Sequence, residues 1–226
     1  MKKMILSAVM LVFAASGRAQ EAGAASPTEH NEWLTTFEAV AVDADLDIKF
    51  VKEAPKIVYD TKGSYTSKFR AEVKDKTLRI SERPDSRRPD RTEVTVYYNA
   101  LRAVSLSGAA ATFVGTLDAA VLDVTVNRKA SLTAKLDVKD LKMEQTGYST
   151  ANLSGSVRYL TLYVSTGKVA ASDLEVMSAE VNAQSKAEVS LWITDRFVGK
   201  RISYKGDPKI VRGGAKFMGG EINRVE

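Results

Sequence analysis

Five short stretches decide the fold: VSLSGAA (104–110), VTVNRKA (124–130), MEQTGYS (143–149), LYVSTGK (162–168) and AEVNAQS (179–185). Laid over one another, they align a short polar residue at Ser107, Asn127, Thr146, Ser165 and Asn182, at intervals of 20, 19, 19 and 17 residues. Just before it stand Leu106, Val126, Gln145, Val164 and Val181; two positions further back come Val104, Val124, Met143, Leu162 and Ala179. Two more back are Arg102, Leu122, Leu141, Leu160 and Met177. Seven after the polar residue come Val114, Ala134, Leu153, Ser172 and Val189, and nine after come Thr116, Leu136, Gly155, Leu174 and Leu191. Apolar residues at every second position mark a strand with one buried face. Each unit therefore reads as strand, polar corner, strand.

A unit of ~20 residues cannot bury its apolar face alone, so a repeat of this length predicts stacking into a β-solenoid. Stacking sets equivalent residues ~4.8 Å apart in parallel sheets, and short polar side chains at the corners satisfy turn backbone. The leucine-rich repeat has a similar period, but its L-x-x-L-x-L-x-x-N pattern is missing. Two positions strain this register. Gln145 falls in an inward column, where an unpaired amide costs ~1–3 kcal/mol, and Arg102 falls inward at an end rung.

Outside the repeat the chain also reads as strands. Phe37–Phe50 (FEAVAVDADLDIKF) alternates, with Val40, Val42, Ala44, Leu46, Ile48 and Phe50 on one face and Asp43, Asp45, Asp47 and Lys49 on the other. Residues 56–59, 69–73, 77–80 and 92–98 continue the signal. Ser81–Arg91 (SERPDSRRPDR) holds two prolines and no apolar face, the mark of an exposed loop.

At the front, Lys2 and Lys3 precede an apolar run, Met4–Ala15, and small residues at Gly17 and Ala19. This is the pattern of a secretory signal over 1–19, and the run is too short to span a membrane. A small, polar flexible leader is expected over 20–34, then one β-solenoid domain over 35–226. The chain carries a net charge of +5. Residues 1–19 contribute three cations and no acid, so removing them leaves +2, which gives little pull on nucleic acid. With no cysteine, stability rests on packing rather than disulfides, and thiol nucleophiles and Cys-based metal sites are excluded.

The corners resemble those of the autotransporter-adhesin head domains, the GIN or DUF2807 family, which repeats a Leu/Val-Ser-Gly-Ala-Gly corner. Leu106-Ser107-Gly108-Ala109-Ala110 is the nearest copy, followed by Gln145-Thr146-Gly147-Tyr148-Ser149 and Val164-Ser165-Thr166-Gly167. Tyr204–Ile210 resembles the family's closing hairpin and Gly213-Gly214-Ala215 its last corner, so the likeness runs from Phe37 to Val225. The corners at Asn127–Ala130 and Asn182–Ser185 lack the glycines. The resemblance implies a right-handed parallel β-helix and export. It supplies no catalytic residue.

No catalytic, cofactor or metal residue is assigned. Asp43, Asp45 and Asp47 open a calcium-loop pattern, but Ile48 and Ala54 stand where it needs Gly and Glu, so they read as the solvated face of a strand. Arg83, Arg87, Arg88 and Arg91 lie among Glu82, Asp85 and Asp90, which cancel their field. His30 lies in the expected leader. Trp33, Trp192, Tyr97, Tyr98, Tyr148, Tyr159 and Tyr163 can stack on sugar rings, or cover a solenoid end or a neighbouring subunit, Tyr159 and Tyr163 forming an outward strip. Glu175, Glu180 and Glu188 show no convergent spacing.

These readings lead to an exported, non-catalytic β-solenoid, in the periplasm or at the cell surface, that binds envelope glycan or protein. It has no nucleic-acid partner and no membrane span. A polysaccharide-cleaving enzyme and a self-assembling homo-oligomer are the alternatives. Convergence of Asp43, Asp45 or Asp47 on an Arg or Lys in a cleft would favour the enzyme.

Overall fold

The computed structural model describes residues 28–61, 68–83, 91–202, 209–210 and 216–217. The signal expected over 1–19, Arg87 and Arg88, Tyr204–Pro208 and the corner at Gly213–Ala215 lie outside the described residues. The fold is all-β. Its strands are β1 (Thr28–Trp33), β2 (Ala39–Asp43), β3 (Leu46–Lys52), β4 (Lys56–Thr61), β5 (Phe69–Lys74), β6 (Thr77–Glu82) and β7 (Thr92–Tyr98). Then follow β8 (Ala103–Ser107), β9 (Ala110–Asn127), β10 (Ser131–Gln145), β11 (Ser149–Ile202), β12 (Lys209–Ile210) and β13 (Lys216–Phe217). Among the described residues no helix is long and apolar enough to cross a membrane.

Four of the five aligned stretches stack at their spacing. Val104 pairs with Val124, Val124 with Met143 and Met143 with Leu162, all parallel and all buried. Val126 and Val164 flank Gln145 on its two sides. Residues 131–145 pair along their length with 150–164, an offset of 19, and the offset persists where Ser190 meets Lys209.

The first half corrects the expectation of a parallel β-helix throughout: the sheet is mixed. The alternating stretch 37–50 is two strands rather than one, bent at Ala44-Asp45, and Asp43 pairs with Ser107 as the corner residue of an earlier storey. A further storey, β6 and β7, stacks parallel on the other side of β2 and β3. The storeys are therefore not stacked in chain order. Residues 39–52 sit in the middle, with 77–98 on one side and 103–127 on the other. Between 52 and 77 the chain makes β4 and β5, which pair antiparallel with β7 and β6. β1 then adds antiparallel to β4, so the leader expected over 20–34 holds a strand at Thr28–Trp33.

Local chemistry fixes the corners. Gln145 is fully buried, and its Nε2 donates to the Ser149 carbonyl at 2.8 Å and the Lys168 carbonyl at 3.0 Å, joining two storeys. Ser149 Oγ lies 2.8 Å from the Thr146 carbonyl and 3.1 Å from that of Val126. Gly167 (φ +107) makes room for this: a β-carbon there would overlap the Ser149 carbonyl oxygen. The glycine-free corner at 127–130 turns instead through Arg128 and Lys129, both left-handed, at φ 50 and 64.

Candidate functional site

The strands β1, β4, β7, β3 and β9 lie side by side, and alternation sends every second side chain to their outer face. Register then lines these side chains into rows across the sheet. One row runs Trp33, Lys56, Tyr97, Val51, Val114. The next, two residues along, runs Asn31, Val58, Thr95, Lys49, Thr112; the third runs Glu29, Asp60, Glu93, Asp47, Ala110. A groove of ≈ 440 Å³ lies over the second and third rows.

The first row is aromatic and apolar, yet open. Trp33 is 75% exposed and Val114 52%. Lys56 Nζ sits 4.1 Å from the Tyr97 ring centroid and 5.8 Å from that of Trp33, a cation–π contact that steadies both rings. The third row sets four carboxylates on neighbouring strands, an arrangement that like-charge repulsion disfavours. Arg91 Nη1 relieves Asp47 at 3.2 Å. Glu29, Asp60 and Glu93 have no side-chain partner among the described residues, and Asp60 Oδ1 is buried without a hydrogen bond.

A second concavity, ≈ 400 Å³, sits at the corner between β2 and β3 and is lined by Asp43, Asp45, Glu82, Arg91, Arg128 and Lys129. Here the acids do converge on cations. Arg128 Nη1 is 3.0 Å from Asp43 and Arg91 Nη2 is 2.6 Å from Asp45. Ser107 Oγ donates to Asp43 at 3.2 Å, and Thr92 Oγ1 donates to Glu82 at 2.8 Å. Arg91 Nη2 also donates to the Leu46 and Gly108 carbonyls, both at 3.1 Å. Arg91 thus ties β7 to two corners. Among the described residues no three His, Asp or Glu side chains come together as a metal site.

The other residues singled out in the sequence scatter. His30 stacks on Tyr59 at 4.8 Å. Tyr98 is buried, and desolvation, then the Asp118 charge, push its phenol up to about 12. Tyr159 is 51% exposed beside Arg158, whereas Tyr163 is half-buried and accepts from Gln184 at 3.0 Å. Tyr148 is exposed at a corner and Trp192 is half-buried. Glu175 and Glu188 are exposed, Glu180 half-buried, and Arg83 gives its backbone N–H to Lys68 at 3.4 Å. Only Trp33 and Tyr97 share a row. Sequence reasoning missed the carboxylate row, because its members lie on four strands whose pairing order differs from chain order.

Residues 36–210 match the family described as "Putative auto-transporter adhesin, head GIN domain". The chain belongs to this GIN-domain family. Among solved structures, a "putative adhesin" from Bacteroides fragilis superposes with a TM-score of 0.74 at 17% identity, over 85% of this chain and 94% of that one. A "putative adhesin" from Parabacteroides merdae follows at TM-score 0.59 and 18% identity, with the same coverages. A "putative lipid binding protein" from Parabacteroides distasonis gives 0.57 at 16%, over 84% of this chain and 94% of that one. At such identities the likeness is one of fold. No curated protein matches the chain.

Proposed function

We propose that this GIN domain is an exported, non-catalytic binding module of the cell envelope, working in the periplasm or at the cell surface on an envelope glycan or protein. We also infer that its parallel storeys wind with a right hand, the hand that crossovers between parallel strands take. One observation carries the binding reading. Register fixes side chains in straight rows on a rigid face, and the most exposed aromatic side chain among the described residues lies in one of them. Such a ladder offers many weak contacts at fixed spacing, which sum to avidity without any reacting group. The acidic row disfavours an anionic lipid surface. Capture experiments with the chain lacking residues 1–19, on separated envelope glycan and protein fractions, test this reading. Saturable retention of one fraction is expected; retention of neither overturns it.

A second reading, polysaccharide cleavage, is favoured by the convergence of Asp43 and Asp45 on Arg128 and Arg91. Glycosidic cleavage needs one carboxyl to give a proton and a second to act as nucleophile or base. Here each carboxylate already accepts from a cation or hydroxyl. Release of reducing ends from envelope polysaccharide, abolished in Asp45→Asn, would establish cleavage instead.

A further inference from the structure

We propose that the outer face of β1, β4, β7, β3 and β9 binds a saccharide chain that bears no acidic groups, its rings on Trp33 and Tyr97 and its hydroxyls on the carboxylate row. This rests on the binding-module reading and names the chemistry of the partner. Three features of the face select that class. The row Trp33, Lys56, Tyr97, Val51, Val114 is aromatic and apolar apart from its one lysine, and the core does not use it: Val51 and Val114 alternate outward from the buried Phe50 and Phe113. The aromatic row and the carboxylate row are four residues apart along each strand, ~13 Å, a span that suits a chain of several rings, each apolar on its C–H side and polar at its rim.

The carboxylates Glu29, Asp60 and Glu93 can only accept hydrogen bonds, and they have no side-chain donor among the described residues, so a ligand rich in hydroxyl donors satisfies them. Charge then narrows the choice. Four carboxylates repel sulfated or uronic-acid chains, while Lys49 and Lys56, set between or beside the acids, oppose a polybasic peptide. An uncharged saccharide meets neither penalty. The groove, ≈ 440 Å³, is within the range that holds small ligands, the size of an oligosaccharide rather than a protein surface.

The test titrates the chain lacking residues 1–19 with neutral β-1,4-linked glucose and N-acetylglucosamine oligosaccharides, with polygalacturonate as the anionic comparison. Binding is read by calorimetry and by tryptophan fluorescence. A neutral oligosaccharide is expected to bind saturably, and Trp33→Ala or Tyr97→Ala to weaken it about tenfold or more. Glu93→Gln should weaken it less, and Tyr159→Ala, on another face, should leave it unchanged. Unfolding midpoints of all variants show whether they stay folded; should Trp33→Ala not, Trp33→Leu replaces it. Equal binding of polygalacturonate, or undiminished binding by both aromatic variants, overturns the proposal. So does a concentration-dependent mass that Trp33→Ala abolishes, which would make the row an interface between copies. If no saccharide binds while an envelope protein is retained, the inference falls and the binding-module reading stands; if neither binds, both fall.

Discussion

Gln145 shows what a single inward side chain does in a stacked fold. Its place in the buried column followed from spacing alone, since it stands where Val126 and Val164 stand. Its partners did not, because the carbonyls of Ser149 and Lys168 reach it only once the corner turns. Gln145→Leu keeps the volume and strips one buried and one partly buried carbonyl of their donor, so a loss of ~1–3 kcal/mol is expected in denaturant unfolding. Gly167→Ala should cost at least as much, from its positive φ and from the overlap with Ser149. Arg102 went the other way. It was expected inward but lies just before β8 begins, where alternation no longer binds it; it points out toward Glu38 at 3.7 Å, and Leu101 is buried instead. Met177, also expected inward, is 41% exposed, because alternation steps by three residues between the buried Val176 and Ala179, as it does between Val157 and Leu160 one storey earlier.

At the scale of strands, a shorter corner and a bulge in β9 together explain the other slip of register. Thr112 pairs with Thr133 and Thr116 with Lys135, so one strand spends four residues where its neighbour spends two. The corner after Ser107 is one residue shorter than that after Asn127, so spacing put Val114 inward where Phe113 is buried, and the bulge then sets Leu117 rather than Thr116 beside Leu136 in the core. Phe113 stacks on Phe50 at 4.6 Å and meets Tyr98 edge-on at 6.0 Å. Phe113→Ala should lower unfolding free energy by ~3–5 kcal/mol. β9 is also tied to β3 by Lys52 and Asp118, 2.5 Å apart and exposed. The hydrogen bond from Lys52 holds the Asp118 carboxyl below its usual range. A lowered acid stabilises the fold above its unfolded pKa, and that stability is lost as pH falls through the lower, folded value. Because the pair is solvated, Asp118→Asn should cost under ~1 kcal/mol at pH 7, with the difference vanishing in high salt.

For the whole molecule, the parallel ladder was legible wherever storeys follow one another at nineteen or twenty residues, and hidden wherever they do not. Asp43 is a corner residue like Ser107, but the two are 64 positions apart, and no period links them. Alkaline conditions probe the assembled core. Tyr98 and Tyr59 are both raised to about 12, mainly by burial, with the Glu32 hydrogen bond second for Tyr59. A raised group stabilises fully below its unfolded pKa of ~10, and the contribution is lost as pH climbs toward 12. Chemical-denaturation midpoints should thus fall between pH 10 and 12, in step with phenolate absorbance, and Tyr98→Phe should flatten the fall.

The antiparallel strands have a consequence for crowding. A bare stack of parallel storeys is a template that recruits identical neighbours end over end, the route to fibrils. Here β5 covers one flank of the first storey and β4 with β1 the other, and the outermost strands carry Glu29, Glu32, Arg70, Glu72 and Lys74. Head-to-tail polymerisation needs two receptive poles. This molecule has blunted one of them, which opposes end-over-end growth into filaments.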